Sequence, residues 1–343
     1  MTLSVYTIEK SEQWDVIVRS FQAYDVYYLS GYVKAFQLHG DGDPLLFYYE
    51  NDDLRGINVV MKRDIANDPH FAGRIPPKTY FDFTTPYGYG GWLFEGNGNP
   101  SPLYAAYIDW CEKNQIISEF VRFSLYSNSR NSYYGEVIPR TQNVVRNLDH
   151  PIDDMLMDFE HKVRKNIKRA NESGLQLIVD SDGNRLNDFL SIYYSTMDRN
   201  NAEDSYYFNE AFFRQINTLI GNHVYFYALL DDVVISTELV IMGSDIMYSY
   251  LGGTNSDYYS VRPNDFLKYQ IIHWGLKSGY KRFVLGGGYG ADDGIFRYKK
   301  SFAPNGIVRF YTGQTVFFPE VYENLNTMRT NLPESEFFPR YRA

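Results

Sequence analysis

The chain has 343 residues, a formal net charge of −9 and one cysteine. At about 150 residues per domain, that length implies two domains, each able to bury a core without disulfide or metal staples. Lone Cys111 excludes an intramolecular disulfide and a multi-cysteine metal site. The 32 Tyr and 24 Phe argue against disorder and favour surfaces where a ring presents an apolar body and a polar tip.

No apolar run approaches the roughly 18 residues needed to span a bilayer, so no transmembrane segment is expected. Met1–Lys10 carries Glu9 and lacks an apolar h-region, unlike a signal peptide. A cytoplasmic location is therefore the expectation. The acidic balance disfavours broad nucleic-acid binding through a basic face, DNA included, and leaves a local basic patch open.

Taken in chain order, Leu45–Tyr49 and Ile57–Met61 flank Asn51-Asp52-Asp53 and predict a β-hairpin. Tyr80–Thr84 predicts a strand, Pro86–Gly91 a loop, Leu103–Lys113 a helix and Phe120–Leu125 a strand. His150-Pro151 breaks structure, and Asp153-Asp154 opens a new helix. A second hairpin spans Val224–Leu230 and Val233–Ile241 around Asp231-Asp232. A strand over Ile246–Leu251, a loop over Gly252–Pro263, a helix capped by Asn264 and ending at Gly279, and a strand over Arg282–Leu285 follow. Hairpin, strand, loop, helix and strand thus occur twice in one order, which predicts a duplication. Pro319–Met328 predicts a last helix. The expected class is α/β with mixed sheets.

Three segments carry candidate chemistry. Lys162, Arg164, Lys165, Lys168 and Arg169 surround an apolar stripe of Val163, Ile167 and Ala170. Five cations in eight residues of an acidic chain point to an anionic partner, most simply a phosphate-bearing substrate. A solvated basic face is the plainer reading for any single one of them. Tyr80–Gly91, with Tyr87 and Tyr89 among three glycines, lets a backbone approach a ligand under covering rings, or is a tight strand exit with core tyrosines. Gly286–Gly290 follows a strand and leads to Arg297, Lys299 and Lys300. It is neither a P-loop nor a dinucleotide fingerprint. Its cations suit negative charge developing on a reacting carbonyl. Six scattered His, none at H-E-x-x-H spacing, make a metal site unexpected, and no G-x-S-x-G elbow exists.

At these segments the sequence resembles the FemABX-type acyltransferases, which build peptidoglycan interpeptide bridges, and their relatives with a duplicated GNAT (N-acetyltransferase) fold. The Lys162–Ala170 helix with Gly174 is similar to their R-x-N-I-x-x-A-x-x-x-G element. Arg262–Leu267, Leu285–Gly288 with Phe296–Phe302, and Asp82 with Thr85–Gly91 also fit. The resemblance implies tandem GNAT-like domains at 1–150, completed by 315–343, and at 151–314. It implies acyl transfer to an amine of a phosphate-bearing, peptidoglycan-type cell-envelope precursor, the substrate of methicillin resistance protein-like transferases in bacterial cell wall biogenesis. No tightly bound cofactor is expected, and the donor is aminoacyl-tRNA or acyl-CoA. A membrane-surface substrate is compatible.

Lys299, with Arg297, then becomes the candidate for stabilising the oxyanion, and Asp82 the candidate for taking the amine proton. Lys34, Tyr87 and Arg164 are candidates for holding an anionic acceptor. Tyr89, Asn166, Tyr248, Arg262 and Asn264 complete the expected substrate contacts. The chain departs from bridge-forming relatives in having no room for a coiled-coil arm between Asp182 and Asn222. Gly252-Gly253 and Arg262 replace the full pyrophosphate loop of CoA-using enzymes. Two other readings stand beside this one: an acyl-CoA-dependent N-acyltransferase acting on an amino sugar of a surface polysaccharide, and a non-catalytic glycan- or peptide-binding module.

Overall fold

Both Asp-bearing turns close hairpins. In the first, Asn51 Oδ1 accepts from the backbone N–H groups of Asp53 (3.0 Å) and Leu54 (2.8 Å). In the second, Asp231 and Asp232 sit at φ of 48° and 63°, the left-handed pair that a two-residue hairpin turn requires. The computed structural model describes residues 2–288, 290, 292–329, 332–333 and 335–343. They fall into two units: Met1–Arg140 with Phe310–Ala343, and Thr141–Arg309.

Unit 1 opens with β1 (Thr2–Thr7), α1 (Ser11–Ser20), α2 (Ser30–His39) and the hairpin β2 (Asp43–Glu50) and β3 (Leu54–Asp64). There follow β4 (Phe81–Thr84), β5 (Leu93–Gly96), α3 (Ser101–Lys113) and β6 (Ile116–Arg122). β7 (Glu136–Asn147) leads into unit 2, with α4 (Ile152–Asp158), α5 (His161–Glu172), β8 (Gln176–Asp180), α6 (Leu186–Arg199) and α7 (Glu210–Ile216). The second hairpin is β9 (His223–Leu230) and β10 (Val233–Met242), followed by β11 (Ile246–Thr254), α8 (Pro263–Lys277), β12 (Arg282–Gly286) and α9 (Gly294–Lys300). β13 (Ile307–Val316) returns the chain to unit 1, where α10 (Pro319–Met328) lies.

Unit 1 orders its strands β1-β2-β3-β4-β6-β13, with β5 on β3. Unit 2 orders them β7-β12-β11-β10-β9-β8. Each sheet has one parallel pair, β4 with β6 and β11 with β12, and each pair is bridged by a helix, α3 or α8. The order hairpin, strand, helix, strand is therefore present twice, as the repeat in the sequence predicts. Two readings shift: the strand read at Phe120–Leu125 runs instead over Ile116–Arg122. Asn264 is not the cap of α8, since Arg262 holds the N-cap position and Pro263 the first turn.

The cores follow from amphipathic patterning. Val163, Ile167 and Ala170 of α5 are all buried and pack with Phe266, Leu267 and Ile271 of α8 in the unit 2 core. Burial of each branched side chain contributes roughly 1.5–3 kcal/mol. Unit 1 buries Cys111 with Phe47, Phe83 and Tyr107, so the cysteine is part of the core. Its second cluster joins Phe71, Tyr322 and Tyr341, which brings the chain's last residues under β4 and β6. Among the described residues no helix is long and apolar enough to cross a membrane.

Candidate acyl-transfer site

The parallel pair of unit 2 opens into a wedge. β11 and β12 are in register only from Ile246↔Arg282 to Tyr248↔Val284. Beyond that point β11 continues to Thr254, bonded to β10, while β12 turns away at Gly286. The same position in unit 1 is stitched shut. Thr85 N–H donates to Phe120 O (3.0 Å), Gly90 N–H to Arg122 O (2.7 Å), and Ser124 N–H to Gly90 O (3.1 Å). Gly88 there has φ 106°, and a Cβ on it would lie 2.2 Å from the Tyr27 ring. Among the described residues, the parallel strands of unit 2 are not paired beyond Tyr248↔Val284.

Beside the wedge lies a cleft of about 320 Å³, lined by Thr237, Glu238, Ser249, Asn264, Lys268 and Tyr298. Its floor is a buried ion pair. Lys268 Nζ donates to both oxygens of Glu238, at 2.6 and 2.7 Å, and to Ser249 Oγ at 2.9 Å. Such a pair holds its geometry because every donor has an acceptor. Asn264 Oδ1 accepts from the hydroxyls of Thr254 and Ser236, which ties the first turn of α8 to the β10–β11 ladder. Gly253 fits where no side chain could: a Cβ would lie 2.4 Å from Thr196 Oγ1.

Lys299 stands on α9, the next residue after Tyr298. Its Nζ donates to Gly287 O at 2.7 Å, across the glycine turn that ends β12. Asp293 fixes this helix by accepting from Phe296 N–H (2.7 Å) and Gly290 N–H (3.0 Å). Burial, then the like charge of Lys268, bring the Lys299 ammonium down to about 8, against a partial opposing pull from Glu238 and Asp293. Tyr289, read within this turn, lies outside the described residues.

The other expected contacts divide. Tyr248 is buried at the apex of the wedge. Arg262 has φ 62°, a left-handed conformation costly for a side chain, and its buried Nε has no partner among the described residues. Asn166 Nδ2 donates to Asp265 Oδ1 (3.2 Å), pinning α5 to α8. Arg164 is spent differently from the expectation: its Nη1 donates to Met157 O and Phe159 O, both at 2.7 Å, and so caps the end of α4. Arg297 is 63% exposed and turned to Asp292, 3.8 Å from its carboxylate, which removes it from oxyanion work.

Asp82 requires the plainest correction. It is 0% exposed in unit 1, and both oxygens are occupied. Arg63 Nε donates to Oδ1 at 2.7 Å, and Arg342 Nε (2.6 Å) and Tyr341 OH (2.9 Å) donate to Oδ2. Burial pushes its carboxyl up, but Arg63 and Arg342 outweigh that and hold it below the usual range. A carboxylate so saturated anchors structure and cannot take an amine proton. Lys34 and Tyr87 also fail to converge. Lys34 donates to Gln37 Oε1 (2.9 Å), whereas Tyr87 stacks on Phe36, two residues on along α2 and so on another side of the helix. Tyr89 packs edge-on against Tyr27 and Phe310.

Glu238, Lys268, Thr237, Ser249 and Tyr298 were not anticipated as site residues. A signal for the first two existed: a glutamate inside an apolar strand and a lysine on the buried side of an apolar helix need partners. Their pairing across 30 positions is invisible to local patterns.

Comparison with known proteins agrees with this arrangement. Residues 157–300 match the family described as Acetyltransferase (GNAT) domain. No curated protein matches the sequence. The crystal structure of FemX superposes with a TM-score of 0.66 at 13% identity, over 94% of this chain and 99% of that one. The fold is FemABX-like, a duplicated GNAT fold. Also similar are L-PGS from Bacillus licheniformis (TM-score 0.58, 12% identity, 88% of this chain and 91% of that one) and the C-terminal domain of a putative lysylphosphatidylglycerol synthetase from Agrobacterium fabrum (0.57, 12%, 89% and 91%). The matched residues 157–300 take in the strands and helices that form the open wedge of unit 2.

Proposed function

We propose that unit 2 transfers an aminoacyl group from an ester-linked donor, aminoacyl-tRNA, to an amine of an anionic cell-envelope precursor of the peptidoglycan type. The observation that carries the reading is Lys299, held over the Gly287 carbonyl at the mouth of an open wedge beside a polar cleft. A neutral amine attacks the donor carbonyl carbon. The new C–N bond forms as the C–O bond breaks, the ribose hydroxyl leaves, and the amine proton passes through solvent to the leaving oxygen. Lys299 donates to the oxyanion as charge develops, an effect worth about 10²–10³ in kcat when one such donor is lost. Alignment of the two substrates supplies much of the rest.

The cleft favours an aminoacyl over a plain aliphatic acyl group. A hydrocarbon chain would desolvate the Glu238–Lys268 pair and Ser249 without bonding them. The names of the lysylphosphatidylglycerol synthetase neighbours support the same class, an aminoacyl group placed on a membrane-surface acceptor. One observation keeps acyl-CoA as a second reading: the N-terminus of α8, with the unpartnered Arg262 Nε, suits the phosphates of either donor.

The deciding experiment offers aminoacyl-tRNAs and acyl-CoAs with amine-bearing precursors and reads product mass. Transfer from aminoacyl-tRNA is expected. Transfer from acyl-CoA alone replaces the lead reading with the second, and tight acceptor binding without turnover from any donor refutes both.

A further inference from the structure

We propose that Arg122 makes unit 1 a binding site for a singly charged oxyanion, a carboxylate or a phosphodiester. The inference concerns unit 1 alone and does not depend on the transfer chemistry read for unit 2. Arg122 ends β6. Its N–H donates to Thr85 Oγ1 (3.1 Å) and its carbonyl accepts from Gly90 N–H (2.7 Å), so its backbone is held by the loop after β4. Side chains two apart on a strand share a face, and the register carries that face across the sheet. Arg122 therefore stands on the side of Phe120 and Ser118, and Ser118 is paired through Asp82 to Arg63. This is the face that Tyr341 and Arg342 reach, not the closed seam between β4 and β6.

The guanidinium is partly buried over the Phe120 ring, 5.0 Å from its centroid. Among the described residues it makes no ion pair, and its one polar contact, Nη1 to Thr85 O at 3.5 Å, is longer than an ordinary hydrogen bond. Nε and Nη2 have no partner among those residues, yet they are not sealed from solvent as Arg262 Nε and Arg342 Nη2 are. Nearby charges do not balance the group. Arg63 and Arg342 are matched by Asp82 and Asp68. Asp41 is bonded to His39 at 2.7 Å. Tyr87 and Tyr32 lie within electrostatic reach but are uncharged near neutral pH. Burial pushes the guanidinium down, and the like charge of Arg63 adds to that.

A cation withdrawn from water without a counter-charge is destabilising, so it calls for an anion from outside the chain. Nε–H and Nη2–H are parallel donors of the guanidinium fork, and they match two oxygens of one carboxylate or phosphodiester. One uncompensated positive charge is neutralised by one negative charge. A dianion would bring a second, unmatched charge beside the Thr85 carbonyl oxygen. Arg164, the expected anion holder, donates to backbone carbonyls instead, whereas Arg122 keeps its fork open.

The test follows the Nε–H resonance of Arg122 by NMR in the isotope-labelled full chain, assigned by its absence in Arg122→Lys. The probes are N-acetylalanine, dimethyl phosphate and sulfate, added at constant ionic strength. A saturable downfield shift is expected with N-acetylalanine or dimethyl phosphate, and the one that gives it names the ligand's anionic group. That probe also raises the wild-type Tm by about 3–6 °C at about ten times its Kd. Arg122→Gln removes this rise and, without probe, melts no lower than wild type, because it takes away a charge that has no internal partner. An Arg122 resonance unmoved by every probe overturns the proposal. An equal rise in Tm in Arg122→Gln places the anion elsewhere and overturns it too. A melt of Arg122→Gln below wild type without probe gives Arg122 an internal partner, with the same consequence. A response confined to sulfate overturns the assignment to a singly charged group.

Discussion

The ammonium of Lys299 donates to the carbonyl oxygen of Gly287 at 2.7 Å, and this bond holds the cation at the end of β12 where the parallel strands part. Lys299→Ala is expected to lower kcat by about 10²–10³ while leaving the fold intact. Single-turnover transfer assays with a thermal melt check both halves; full turnover removes the proposed role.

Lys299 must be protonated to stabilise an oxyanion, and its pKa is brought down to about 8. Activity is therefore present below that value and falls as pH rises through it. Lys268 lowers this value and Glu238 raises it. In a pH–rate profile, the alkaline limb is expected to move upward in Lys268→Met and downward in Glu238→Gln. Both variants also break a buried ion pair, at about 3–5 kcal/mol, so profiles are to be read where each is folded.

Gly286 has φ 85°, and a Cβ there would lie 3.2 Å from Lys299 Nζ. Gly286→Ala forces a side chain into left-handed backbone, at about 1–2 kcal/mol, and crowds the cation. The expected outcome is a fall in kcat larger than the fall in stability would explain, measured by kinetics beside chemical denaturation.

Asp82→Asn leaves Arg63 and Arg342 facing a neutral amide in a buried setting. A loss of about 3–5 kcal/mol is expected in unit 1, with urea denaturation as the measure. The sign with pH follows from a carboxyl held below its ordinary 3.8. Its stabilisation is present above that value and is lost as pH falls through the lower folded value, so the acid limb of the wild-type curve flattens in the variant.

What was legible in the sequence was local. The Asp-bearing turns, Gly174 at the end of α5 (φ 78°) and the Val163-Ile167-Ala170 stripe declare themselves within a few residues. β7 did not, because its first half is largely exposed and holds Pro139, which reads as a strand breaker. The misreadings at the site share one cause. Asp82 looked free because its partner Arg342 lies 260 positions away, and Arg164 looked free because backbone carbonyls leave no mark in sequence. Lys299, by contrast, is read beside the glycine turn it follows, and its Nζ donates to Gly287 O within that turn.

The chain leaves unit 1 at Arg140 and re-enters it at Phe310, and β13, Tyr341 and Arg342 then supply a strand, a core ring and a counter-charge. On a ribosome, therefore, the second half is free to fold first. Its 169 consecutive residues, Thr141–Arg309, emerge complete while β6 still waits for its neighbour and Asp82 for one of its two guanidinium partners. The half that appears first is the last to be finished, so interruptions of synthesis past residue 309 release chains with a formed wedge and an unsealed partner sheet.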